Sequence, residues 1–215
     1  MVIDGKTVLF LGDSITEGVG ASSVDKCFVS LIQDKNQEAR VYNYGVGGTR
    51  IAPQLEVLAK GEERNDFVYR ATTMPDGADL VCVFGGTNDY CHGDVPMGDP
   101  SNPNSFRGAL KTLSEYLINR YPEARIVFFT PLHRVDFLER VKKPDGEFEL
   151  IDYVNAIKEN AEYYSFPVLD LWSVSGLQPA VPIIRETFMP DGLHPGDKGY
   201  EKLCQIVLKF IENLY

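Results

Sequence analysis

Residues 8–18 read VLFLGDSITEG, and the fold turns on how this stretch divides. Val8, Leu9, Phe10 and Leu11 form an unbroken apolar run, which fits a strand buried on both faces better than one with a wet side. Gly12-Asp13-Ser14 end the run, and a helix is expected from there on. Ser14 can act in two ways. Ser14-Ile15-Thr16-Glu17 fits the S-x-x-E capping box, in which the hydroxyl accepts a backbone N–H and the glutamate reaches back. Alternatively the hydroxyl is left free to attack, and Asp13 and Thr16 satisfy the nearby donors.

Four more runs resemble the first: RVYNYG (40–45), LVCVFGG (80–86), RIVFFTP (125–131) and PVLDL (167–171). All are read as buried strands. Between them lie helical stripes. Residues 105–120 place Phe106, Ala109, Leu110, Leu113 and Leu117 on one side, and 196–214 do the same with Tyr200, Leu203, Cys204, Val207, Leu208, Ile211 and Leu214. Strands alternating with helices predict one α/β domain over 1–215, a five-stranded parallel sheet covered on both faces in three α/β/α layers. Two connections are long. Residues 91–104 are dense in Gly, Pro, Asn and Asp, and 133–148 are read as holding a hairpin turned at Pro144-Asp145-Gly146. Each is either a lid or a tolerated surface insertion.

The chain has 215 residues and a formal charge of −10. That carboxylate excess disfavours nucleic acid and anionic membrane surfaces, since no cationic cluster could replace their counterions. Asp4 precedes the first apolar run, no small-residue cleavage site follows it, and no apolar stretch approaches a membrane span. A cytoplasmic protein is expected. The four cysteines have no C-x-x-C spacing, and Cys82 and Cys204 fall on core-facing positions.

The polar, glycine-rich clusters all follow strand ends: Gly12-Asp13-Ser14, then Asn43-Tyr44-Gly45-Val46-Gly47-Gly48-Thr49, then Gly85-Gly86-Thr87-Asn88-Asp89. Open α/β sheets bind ligands on that side. A strand order of 2-1-3-4-5 would set strand 1 between 2 and 3, making Ser14, Gly48 and Asn88 neighbours. A reactive serine needs a base, and there are three histidines, His92, His133 and His194. Asp191 and His194 form a D-x-x-H turn in which the carboxylate can fix the imidazole tautomer; a plain surface turn is the competing reading. His92 and His133 have no aspartate at that spacing and are read as loop residues. Asp13, Asp89 and Asp191 could alternatively converge on a hard cation as a phosphatase site, which gives Asn88 and His194 no role. There is no G-x-S-x-G elbow, no phosphate loop, no H-E-x-x-H and no complete dinucleotide fingerprint, so no cofactor or metal is expected.

Residues 10–18, 43–49, 85–89 and 191–195 together resemble the GDSL (SGNH) hydrolases, serine esterases on a flavodoxin-like sheet. The four blocks occur in the family's order, with GDSI in place of GDSL. The resemblance implies Ser14 as nucleophile, Asp191 and His194 completing a triad, and Ser14, Gly48 and Asn88 as oxyanion donors, Gly47 being the adjacent alternative to Gly48. Such donors suit acyl transfer, because they point where negative charge develops on the carbonyl oxygen. The expected substrate is a small-molecule ester with a small acyl group, an O-acetylated carbohydrate being favoured, with Asp13, Tyr90, His92 and Phe188 against it and Trp172 nearby. A lysophospholipase or thioesterase, and a non-catalytic binding module on the same fold, are the alternatives.

Overall fold

A computed structural model describes residues 3–92, 96–135, 141–143 and 146–215. Its strands are β1 (Thr7–Gly12), β2 (Arg40–Gly45), β3 (Leu80–Phe84), β4 (Arg125–Phe129), β5 (Val141–Lys143), β6 (Gly146–Phe148) and β7 (Val168–Leu169). Its helices are α1 (Ser14–Glu17), α2 (Phe28–Lys35), α3 (Leu55–Lys60), α4 (Phe67–Ala71), α5 (Thr87–His92), α6 (Phe106–Arg120), α7 (Leu150–Tyr163), α8 (Leu171–Val174), α9 (Pro182–Phe188) and α10 (Asp197–Glu212).

Five parallel strands form the main sheet in the order β2-β1-β3-β4-β7. This is the 2-1-3-4-5 order expected. Successive side chains of a strand point to opposite faces, and the core divides accordingly. Val8 and Phe10 of β1 join Leu80, Cys82, Val127 and Phe129 in a cluster closed by α2 and α10. Leu9 and Leu11 join Val81, Val83 and Phe128 in a second cluster closed by α4, α6 and α7. Both faces are covered, so the central strands need apolar residues at every position.

The edges behave differently. All six residues of β1 are buried, whereas β2 exposes Arg40, Tyr42 and Asn43. The expectation of burial on both faces fails for β2 because it is paired on one side only. The strands at 80–86, 125–131 and 167–171 stop short of the expected ends, at Phe84, Phe129 and Leu169. The helix expected at 105–120 forms as α6, with the Ser105 hydroxyl capping its first turn. The final stripe forms α10, where Tyr200, Leu203, Cys204, Val207 and Ile211 are buried; each large apolar side chain so buried contributes about 1.5–3 kcal/mol.

The segment after β3 is less open than expected. Helix α5 runs to His92, and turns at Asn102 and Ser105 lead into α6. The hairpin expected at 133–148 is present: β5 and β6 pair antiparallel, with Lys143 opposite Gly146, while Pro144 and Asp145, where the turn is expected, lie outside the described residues. All four cysteines are free thiols, Cys91 exposed and the others buried. Among the described residues no helix is long and apolar enough to cross a membrane.

Candidate active site

Successive strands are added in opposite directions across the sheet on either side of β1, which lies between β2 and β3, and a crevice opens at such a switch point beyond the strands' carboxyl ends. Three of the glycine-rich blocks meet there. Asp13, not Ser14, caps α1: its carboxylate accepts the N–H of Ile15 at 3.0 Å. Ser14 is the first residue inside the helix, so its hydroxyl is released from capping. Thr16 takes no part, its buried hydroxyl having no hydrogen-bond partner among the described residues.

The Ser14 hydroxyl meets His194 instead. Ser14 Oγ lies 2.9 Å from His194 Nε2, and His194 Nδ1 lies 2.7 Å from Asp191 Oδ2. The second carboxylate oxygen of Asp191 accepts the backbone N–H groups of Leu193 and His194 at 2.8 and 2.7 Å. Asp191 therefore shapes the turn and orients the ring at once. Partial burial works to raise its pKa, but hydrogen bonds from the His194 ring and from both N–H groups outweigh it, and the carboxyl stays below its ordinary range.

A separation of 180 residues is closed by two ties. The Tyr200 hydroxyl donates to Val19 O at 2.7 Å, and Asp197 accepts the N–H and hydroxyl of Ser22 at 2.8 and 2.7 Å. Both join the start of α10 to the segment following α1.

The second block is bound to α1 by Asn43, which donates to Thr16 O at 2.8 Å and accepts from the N–H of Gly45 at 2.8 Å. The approach is close enough that a Cβ on Gly45 would lie 2.1 Å from the Glu17 nitrogen. Val46 to Thr49 then form a tight turn, with Thr49 N–H donating to Val46 O. Gly48 takes φ +73° at its third position, where an L side chain is strained. It is exposed, and a Cβ there would meet nothing within 4 Å. Asn88, on α5, donates through Nδ2 to Thr49 O at 2.9 Å, which among the described residues leaves its second N–H for a ligand. Ser14, Gly48 and Asn88 are thus linked through one network.

The substrate-facing expectations fare unevenly. Tyr90 is 1 % exposed and packs edge-on against Tyr153, so it belongs to the core and not to a ligand surface. Asp13 is buried and committed to its cap. Phe188 packs against the core cluster of α10, with the Lys202 ammonium over its ring. His92 is exposed at the end of α5. His133 lies against Trp172, the ring centres 3.7 Å apart and the planes tilted by 41°. The three aspartates do not converge: Asp89 accepts the N–H groups of Ile51 and Ala52 at 3.0 and 2.9 Å. Among the described residues, no group of three or more His, Cys, Asp or Glu is placed to hold a metal.

Arg70 gives no signal in the sequence reading. This residue of α4 is buried, and burial draws its pKa down to about 10 against the pull of Asp13, Asp66 and Glu17. Its guanidinium donates to Asn65 O, Tyr44 O, Gly12 O and Thr49 Oγ1.

Asp13 yields a test of these electrostatics. Burial pushes its carboxyl up to about 7, with the Asp89 charge adding to the rise and the Ile15 N–H and Arg70 opposing it. The unfolded chain loses this proton near 4 and the folded chain near 7, so between those values the folded state holds more protons and stability falls as pH rises. Asp13→Asn keeps the cap acceptor and removes the titration. Urea unfolding should show the variant gaining about 2–3 kcal/mol on wild type between about pH 5 and about pH 8. A difference that stays flat with pH would mean that Asp13 is already ionised at the lower value.

The model for the GDSL-like Lipase/Acylhydrolase family matches residues 10–202. No curated protein matches the sequence. One crystal structure is 32% identical, covers 99% of both chains and superposes with a TM-score of 0.86. A protein from Lactobacillus plantarum is similar at 25% identity, 99% coverage of each chain and a TM-score of 0.83. The acetylxylan esterase Axe2 from Geobacillus stearothermophilus shares the fold at 21% identity, over 98% of this chain and 96% of its own, with a TM-score of 0.61.

Proposed function

The chain belongs to the GDSL-like lipase/acylhydrolase family, and from that premise we propose that it is a serine esterase acting through an acyl-enzyme. The observation that carries the reading is the unbroken path from Ser14 Oγ through the His194 ring to the Asp191 carboxylate. Asp191 accepts from Nδ1–H, so the lone pair is on Nε2, facing the serine. His194 takes the hydroxyl proton as Ser14 Oγ bonds to the ester carbonyl carbon. The carbonyl oxygen gains the negative charge and rests on the N–H of Ser14, the N–H of Gly48 and the free N–H of Asn88. Collapse of this intermediate breaks the bond to the alcohol, which leaves with the proton from His194. A water molecule, deprotonated by the same ring, then attacks the acyl carbon; the bond to Ser14 Oγ breaks, the ring returns its proton to that oxygen, and the acid departs.

The proposed substrate is a small-molecule ester with a short acyl group, and an O-acetylated carbohydrate is the class favoured. The acetylxylan esterase among the structural neighbours supports it. So do the exposed glycine at 48 and the acidic net charge, which favours neutral over anionic esters. Aryl esters from acetate to octanoate test the acyl half. Acetate should give the highest kcat/KM, falling at least about tenfold by octanoate. A rise toward octanoate would move the protein to the lysophospholipase and thioesterase type.

A further inference from the structure

We infer that Arg70, acting through Thr49, is the positioning residue for the donors that receive the developing oxyanion. The inference rests on the reading of Gly48 and Asn88 as those donors and adds what holds them in place.

Thr49 stands between the two. Its hydroxyl donates to Val46 O at 2.6 Å, closing the turn that presents the Gly48 N–H. Its carbonyl accepts from Asn88 Nδ2 at 2.9 Å. The same hydroxyl accepts from Arg70 Nη2 at 2.7 Å, and that nitrogen also donates to Gly12 O at 2.9 Å. Gly12 O in turn accepts the N–H of Val46 at 3.1 Å. A single buried guanidinium thus ties the carbonyl two residues before the nucleophile to the turn that carries one donor, and to the residue that anchors the other.

The remaining donors of Arg70 fix the arginine itself. It bonds Asn65 O at 2.8 Å, also reaches Tyr44 O near the end of β2, and packs over Phe67 at 4.8 Å. Arginine suits this post because its planar fork engages several acceptors in fixed directions, whereas a lysine ammonium is a point charge on a flexible stem. Charge alone would not require that geometry. Donors act on a transition state only when they are already aimed, and misplacement by about 1 Å can cost on the order of a hundredfold in rate.

Hydrolysis of p-nitrophenyl acetate by Thr49→Val, Thr49→Ser, Arg70→Lys and Asn88→Ala tests the inference. Thr49→Val keeps the shape and removes the hydroxyl. It should lower kcat about ten- to a hundredfold with KM within about twofold, since the loss falls on the transition state. Thr49→Ser restores the hydroxyl and should keep kcat within about threefold of wild type. Arg70→Lys should fall as Thr49→Val does, and the double variant no further than the worse single one, because both changes cut one chain of contacts.

A residue that only supports the fold would lower Tm and leave kcat in place, and that result for Thr49→Val overturns the inference. So does equal loss in Thr49→Ser, or multiplied losses in the double variant. If Arg70→Lys fails to fold, Arg70→Gln, which keeps a planar donor without the charge, takes its place, and wild-type kcat in that variant beside a loss in Thr49→Val overturns the role of Arg70. Asn88→Ala separates the two levels of the argument. Should it fall about a hundred- to a thousandfold while Thr49→Val does not, the positioning role alone is wrong. If it keeps wild-type kcat, the oxyanion reading fails and carries this one with it.

Discussion

Replacing Ser14 with alanine is expected to lower turnover of a short aryl ester about a millionfold, the scale seen when a triad loses its nucleophile. The prediction is sharp because the hydroxyl has no structural duty. The α1 cap belongs to Asp13, among the described residues Ser14 Oγ makes one hydrogen bond, to His194, and alanine is the better helix former. Thermal stability should therefore hold while activity disappears. An organophosphonate gives the matching covalent readout, labelling the peptide that contains residue 14 in wild type and nothing in the variant. More than about one per cent of activity left in Ser14→Ala would remove the acyl-enzyme from consideration.

Asp191→Asn should cost about ten-thousandfold in kcat. Its two oxygens have separate tasks: Oδ1 holds the Leu193 and His194 N–H groups, and Oδ2 faces the ring. Asparagine can keep the first and reverses the second. Its amide presents N–H to Nδ1, which drives the ring proton onto Nε2, where it blocks acceptance from Ser14. The turn survives and the base does not. A loss under about tenfold, measured alongside an unchanged Tm, would show that something other than residue 191 sets the ring's tautomer.

Much of this was legible in the sequence for a physical reason. Strands β1, β3 and β4 are buried on both faces, so apolar runs mark them, and the polar blocks at their ends could serve only the crevice side. The four blocks together turn Ser14 toward attack, but its own stretch could not say which residue caps α1. Asp13 and Ser14 are adjacent, both are good caps, and the difference is one residue of helix register. The same register explains Tyr90. It stands two residues from Asn88 on α5, about 200° around the helix, and so faces the core. His92, four residues on, returns to the side of Asn88. The edge strand β2 reads like a central one because exposure depends on its neighbours, not on its own residues. Arg70 and Thr49 matter through contacts between distant parts of the chain, and no local pattern announces a guanidinium that joins the ends of β1 and β2 to two loops.

The acid and the base of the proposed relay share one tight turn, from Asp191 to His194, whose shape the acid itself maintains. A relay drawn from two separate loops can lose one partner and keep the other. Here any displacement of the Asp191–His194 turn as a unit carries both away from the serine together, because the acid is bonded to the ring and to the backbone of the base. Whatever grips that short segment would act as an on–off control on the enzyme and not as a dial.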